Sequence, residues 1–357
     1  MIGQKAAMKK EKAGGMLFLL LPASLLLIAA FILSVSVGSV RIPPSQTVRL
    51  LFHRLFGTGN IDDIPPNTAV ILFNARMPRA VLAGMVGAAL SVAGAAMQGL
   101  LKNPLADGST LGITSGGALG AVMFIVSGIQ LPFFQEGGLA LMSILFSFLS
   151  LLLILAFTSR VDAGLSTQTI ILTGVIFSML TSSLTSLLVT LSSDSLKQVV
   201  FWSMGSFSGR GWTHVLLMLP FFLAGTAVLL LICRELDAFS LGEEQARYLG
   251  VNTRKIKLLI LAMVSVLVGI SVAVSGTIGF VGLLIPHITR MLTGPGHKKL
   301  LILSTLLGAS FLMLTDLLAR TIMSPAELPI GVVTSLIGAV LFIYIFYNQT
   351  NKNTKEF

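Results

Sequence analysis

Charge is what this chain has least of. Only 11% of its 357 residues are Asp, Glu, Lys or Arg, against 54% hydrophobic, and the mean hydropathy is +0.92. Soluble domains carry about 25% charged residues, so the shortage places the chain among polytopic membrane proteins. The lone cysteine, Cys233, excludes an intrachain disulfide and reads as a packing residue at the end of an apolar run. No G-x-x-x-x-G-K-[ST] occurs, and the dipeptide Gly-Lys is absent altogether. The chain therefore does not cradle a nucleotide phosphate itself, which argues against an ATPase or any nucleotide-using enzyme. There is no H-E-x-x-H, no cysteine pair and no cluster among His53, His214, His287 and His297, so neither a catalytic residue set nor a metal site is expected. The carboxylates Asp107, Asp162, Asp194, Asp316 and Glu327 fall at or near the ends of apolar runs. A charge at mid-membrane is costly and is kept for function, so their positions leave no proton or sodium relay.

What is present is a series of long apolar runs, at about 16–40, 80–101, 108–128, 138–158, 166–191, 213–233, 258–275, 279–293, 300–320 and 329–347. A helix needs about 20 residues to cross a hydrocarbon core. Backbone groups in lipid must bond internally, and unbroken runs lack a barrel's alternation, so the expected fold is all-α with ten transmembrane helices. The membrane-spanning region is 16–347 within a single domain, 1–357. Residues 258–293 could instead form one long broken helix, with Gly276, Gly279, Gly282 and Pro286 as breakers. Charge distribution favours two crossings. With ten, the inner side collects 16 Lys and Arg and the outer side eight, with both termini cytoplasmic. The net charge of +10 is accounted for by this topology, not by nucleic acid. Lys5, Lys9, Lys10 and Lys12 precede an apolar run too long for a signal peptide, which reads as the first span. A weak repeat at an offset of 182 residues maps Gly87, Val92, Gly94, Leu101, Pro104 and Gly112 onto Gly269, Val274, Gly276, Leu283, Pro286 and Gly294. That offset spans an odd number of crossings, so the two halves would be inverted. Stretches such as GAALSVAGAAMQG and GITSGGALGA allow close helix packing and could line a weakly interacting path.

One segment breaks the shortage of charge. Residues 234–257 hold Arg234, Glu235, Asp237, Glu243, Glu244, Arg247, Arg254, Lys255 and Lys257. Ser240 followed by Glu243 suggests a capping box, and Gly250 is placed to end the helix in a left-handed turn. The spacing predicts a helix over 241–249 with Leu241, Tyr248 and Leu249 on one face. Such a short helix needs a surface to pack on, either the membrane interface or a soluble partner. On the outer side, Arg76, Arg79 and Arg320 sit at span ends. They could snorkel to the interface, or Asp316 could occupy Arg320 through an i,i+4 pair. A conduit with no energy source and a capped helix awaiting a partner suits a transport subunit driven by a separate ATPase. An ion-coupled carrier acting alone is the alternative, and the missing midplane charges count against it.

Five stretches in order carry a resemblance: ARMPRAVLAGMVGAALSVAGAAMQGLLKNPLADGSTLGITSGGALGAV, VVFWSMGSFSG, SLGEEQARYLGV, SGTIGFVGLLIPHITRML and LTDLLARTIMSPAELPIGVVTSLIGAVLFIY. Together they resemble permeases of the iron-chelate and vitamin B12 ABC importer family, the FecCD type, from about residue 16 to 347. The resemblance implies a bulky chelate as substrate (ferric siderophore, haem or a corrinoid) and a second permease copy, most simply a homodimer. It also implies a cytosolic ATPase dimer, which binds ATP-Mg, and an extracytoplasmic binding protein, around a chain that holds no cofactor and lies in the bacterial cytoplasmic membrane. Segment 234–257 would be the cytoplasmic coupling loop. By the same resemblance Ser240, Leu241, Gly242, Glu243, Glu244, Ala246, Arg247, Leu249 and Gly250 form the ATPase-coupling element. Arg76, Arg79 and Arg320 are the docking residues for the binding protein, where a guanidinium's planar fork suits carboxylates. Met77, Lys102 and Asp107-Gly108 depart from common choices in that pattern.

Overall fold

The computed structural model describes residues 2–38, 40–58, 60–129, 135–162, 164–192 and 196–355. The side chains of Lys5, Lys9, Lys10, Lys12, Lys352 and Lys355, counted above toward the inner side, lie outside the described residues, as does Asp194. Among the described residues the chain is helical and holds no strand. The long elements are α1 (Ile2–Ser36), α4 (Met77–Leu101), α5 (Ile113–Ser127), α6 (Gln135–Val161), α7 (Thr167–Leu191), α9 (Trp212–Leu231), α12 (Thr253–Ser275), α13 (Val281–Thr293), α14 (His297–Thr321) and α15 (Ile330–Lys355). Shorter helices are α2 (Pro44–Phe56), α3 (Pro66–Val70), α8 (Leu196–Ser203), α10 (Cys233–Leu241) and α11 (Glu243–Tyr248).

Each of the ten expected spans holds a helix. Seven of the described helices are long and apolar enough to cross a membrane, and Ile113–Ser127 and Ile330–Ile345 are shorter apolar helices. α13 has 13 residues and is roughly 20 Å long, short of a full hydrocarbon core of about 30 Å. The stretch 258–293 is two helices, because Gly276 turns left-handed (φ 72°) and ends α12. Pro286, one of the expected breakers, is accommodated inside α13.

α4 is the hub. It packs against α14, α12, α13, α9, α10 and α1, and 94% of the apolar window in Pro66–Leu101 is buried. Small residues make that possible. A Cβ placed on Gly94 would lie 1.8 Å from the Gly282 carbonyl oxygen, so α4 and α13 touch backbone to backbone. At the periphery, α7 leaves Leu172, Ile176, Met179, Leu180 and Leu187 uncovered.

Two boundaries differ from expectation in ways that matter below. The helical run containing Arg76 and Arg79 begins at Pro66, not near residue 80, and holds a π-helical segment at Ile71–Arg76. Pro78 has no N–H to give to the residue four earlier; the ladder steps out to i→i+5 before it, with Met77 N–H reaching Leu72 O. The span expected from 108 begins at Ile113. Lys102 is left-handed (φ 51°) and so is Gly112 (φ 69°), and the intervening chain is built of turns. Asp107 organises it, accepting from the N–H groups of Ser109 and Thr110 and the Ser109 hydroxyl.

Candidate functional sites at the two ends of α4

Arg79 and Lys102 mark opposite ends of α4, about 35 Å apart along the helix. At the first end the structure brings Arg76, Arg79 and Arg320 together around a cavity of about 490 Å³, which also takes in Arg210, Ser324 and Glu327. The arginines are well occupied. Arg76 Nη1 donates to Val35 O (3.1 Å) and Ser36 O (2.7 Å), and Nη2 to Val40 O, tying the end of α1 to α4. Arg320 donates to Ser34 O and to Ser34 Oγ (3.1 Å), with Asp316 3.7 Å from its Nε. Arg79 holds the carboxylates: its Nε and Nη2 fork onto Asp316 at 2.9 and 2.8 Å, and Nη1 reaches Glu327 at 2.8 Å. Asp316 is fully covered, whereas the Glu327 side chain is 36% exposed at the rim. The i,i+4 Asp316–Arg320 pairing anticipated from sequence exists, but the tighter partner of Asp316 is Arg79, 237 positions away.

At the second end lies the charged segment. The expected capping box does not form. Ser240 is inside α10, where its hydroxyl donates to Leu236 O at 3.2 Å, and Leu241 is the last residue of that helix. The chain breaks at Gly242 (φ 133°, ψ 154°), a conformation open essentially only to glycine. α11 then starts at Glu243, giving six helical residues in place of 241–249. The physical reason is that the Glu243 carboxylate has a better partner than the Ser240 backbone: it meets Lys257 Nζ at 2.9 Å. The predicted stop is present. Gly250 is left-handed (φ 84°) and donates to Arg247 O while Val251 donates to Ala246 O, the two bonds of a Schellman motif. Ala246 is buried beneath the helix. Leu241 at the end of α10 and Tyr248 and Leu249 at the end of α11 stand exposed, Tyr248 at 90%. Glu244 shares the first turn of α11 with Glu243. Arg247 reaches Glu243 (3.5 Å) and the Thr253 hydroxyl (3.2 Å).

Two features were not read from the sequence. Lys257, counted there only as one of many charges, is 2% exposed and bridges Glu243 to Leu165 O (2.7 Å) in the α6–α7 turn. Asp237 accepts from the backbone N–H of His297 (2.7 Å) and meets its Nδ1 (2.8 Å), fastening α10 to the start of α14. Both join residues far apart in sequence, and no local spacing signals them.

Between the two ends a second cavity, of about 530 Å³, is walled by the Asp107–Ser109 turn, Ser203 and Met204 at the end of α8, Thr277–Gly279 before α13, and Ser335 on α15. Its polar groups are mostly hydroxyls. Among the described residues no group of three His, Cys, Asp or Glu side chains could hold a metal ion.

A buried small-residue hub, a hydroxyl-lined cavity and two charged ends define a polytopic helical membrane transport subunit. The chain belongs to the FecCD transport family, which matches residues 26–348. It is 49% identical over 323 residues to an uncharacterised ABC transporter permease of Bacillus subtilis, covering 90% of this chain and 91% of that one. To a hemin transport system permease of Yersinia pestis it is 39% identical, over 80% and 85% of the two chains. A solved structure described as an inward-facing metal-chelate type ABC transporter superposes with a TM-score of 0.80 at 36% identity, covering 92% of this chain and 98% of that one. The chain is thus a multi-pass permease of a binding-protein-dependent ABC importer, a class that works with an ATPase and a substrate-binding protein.

Proposed function

We propose that this permease imports a bulky metal chelate (ferric siderophore, haem or cobalamin) across the bacterial cytoplasmic membrane as a homodimer. ATP-Mg is bound and hydrolysed in a separate cytosolic ATPase dimer. The reading rests most directly on α11. It is a six-residue helix seated on a buried alanine, with Leu241, Tyr248 and Leu249 exposed at one end of the bundle. Exposed aromatic and aliphatic side chains on a rigid element are what a soluble partner's cleft takes hold of. Residues 234–257 act as the coupling loop, on the cytoplasmic side with both termini. The arginine end faces outward. There Arg79 and Glu327 present charge at the rim for the binding protein, and Arg76 and Arg320 hold that rim in shape through backbone carbonyls. The uncovered apolar faces of the outer helices meet lipid or the second copy. Hemin transport by the Yersinia relative and the metal-chelate description of the solved structure favour a chelate.

Reconstitution in liposomes tests this. The chain with its ATPase and binding protein should accumulate chelate only with ATP, and the chain alone should accumulate none. Uptake by the chain alone, driven by an ion gradient without ATP, would replace the reading with a secondary carrier. Ligand binding by the partner protein, screened against siderophores, haem and cobalamin, names the substrate.

A further inference from the structure

We propose that Lys257 is a positioning residue that locks the first turn of α11 to the α6–α7 turn, so that displacement of α11 moves α12 and α7 together. The inference rests on the coupling role of α11 given above and adds the route by which its motion enters the bundle. Lys257 stands in the second turn of α12, with its side chain 3% exposed. It donates to Glu243 Oε2 at 2.9 Å and to Leu165 O at 2.7 Å. A buried ammonium has few places to go: leaving either partner strands a charge where water does not reach. Both acceptors sit on stiff supports. Glu243 follows the Gly242 break, beside which the Lys102 ammonium at the end of α4 lies within 3.5 Å of a Cβ position. Leu165 is itself left-handed (φ 51°) in a turn gathered by Asp162, whose carboxylate accepts from Gly164 N–H, Ser166 N–H and the Thr169 hydroxyl. Thr253, one turn before Lys257, takes Arg247 of the same short helix. α11 is therefore not a loose handle. It is bolted to α12 at two points, and through Lys257 to the turn that begins α7.

The test uses the assembled complex of permease, ATPase and binding protein in lipid. A photo-crosslinker at Tyr248 first reports whether α11 touches the ATPase. Lys257→Met, Lys257→Arg, Glu243→Gln and the double variant E243Q/K257M are then compared by substrate transported per ATP hydrolysed. Loss of a coupling contact is worth roughly 5- to 150-fold, so Lys257→Met should lower that ratio by about tenfold or more. Lys257→Arg, which keeps a buried donor, should restore it toward the native value. The double variant should be no worse than the worse single one, since the two residues act through each other. A Tyr248 crosslink together with a native ratio in Lys257→Met overturns the latch and leaves the coupling reading standing. No crosslink sinks the coupling reading and the latch with it. If Lys257→Met fails to assemble, Glu243→Gln carries the test, because the Glu243 side chain is 28% exposed and the Lys257 ammonium keeps Leu165 O as a partner; a native ratio there also overturns the latch.

Discussion

The two ends of α4 both carry arginine and carboxylate, yet they use charge in opposite ways. At the Arg76 end two of the three guanidinium groups are turned inward and spent largely on backbone, Val35 O, Ser36 O and Val40 O for Arg76 and Ser34 O for Arg320, while Arg79 gathers the carboxylates of Asp316 and Glu327. At the α11 end the charged groups bind one another around the helix, while the apolar side chains Leu241, Tyr248 and Leu249 face out. The first end is an architecture whose charges fix the shape of a rim. The second is a surface whose charges orient an exposed grip. The same residue types serve stability in one place and contact in the other, and burial decides which.

The sharpest way to break this contrast is Arg76→Met. It removes the shared donor from Val35 O, Ser36 O and Val40 O, of which Ser36 O keeps the Ile42 N–H, and each buried acceptor left unmet costs about 1–3 kcal/mol. Thermal unfolding of the detergent-purified permease should show a large drop, and an unchanged midpoint would mean that this end is not built on its arginines. At the other end Tyr248→Ala should leave stability within about 0.5 kcal/mol, as surface changes do, while weakening ATPase binding several-fold. A loss of stability comparable to that of Arg76→Met would erase the distinction between the ends.

The smallest effect concerns pH. Asp162, in the exposed turn that Lys257 grips, is held down to a pKa of about 2 by the Ser166 hydroxyl, then by the N–H groups of Ser166 and Gly164. Its folded value lies below the unfolded carboxylate value of about 3.9, so its support is present above that value and is lost as pH falls through about 2. Asp162→Asn should lower the unfolding midpoint slightly at pH 7, and the gap to the native protein should shrink as the medium is acidified below about pH 4. A gap that widens on acidification would put the turn's stability elsewhere.

How much of this was legible in the chain depends on the range of the interaction involved. The apolar runs located the seven helices long enough to cross a membrane, because hydropathy is read one residue at a time and lipid enforces it. Gly250 was rightly placed as the left-handed stop of α11, since only the helix's own last turn determines it. Ser240 was misread as a cap for the same local reason: its spacing to Glu243 is right, but Lys257, 14 residues on, offers that carboxylate a stronger partner. Arg76 and Arg79 were placed at a span end, whereas the helix runs back to Pro66 through a π-helical segment that hydropathy does not register. Residues 108–112 looked like the start of a span, and only the left-handed Lys102 and Gly112 with the Asp107 turn between them make this stretch a cavity wall.

The sequence alone therefore determined the class of protein: where lipid must be, where charge is tolerated and that no nucleotide motif is present, all properties summed residue by residue. Only the tertiary structure decided what each charge does. Whether a guanidinium or ammonium is a docking group, a brace or a latch depends on which oxygens the packed helices bring within about 3 Å, and those partners lie 237, 92 and 286 positions away.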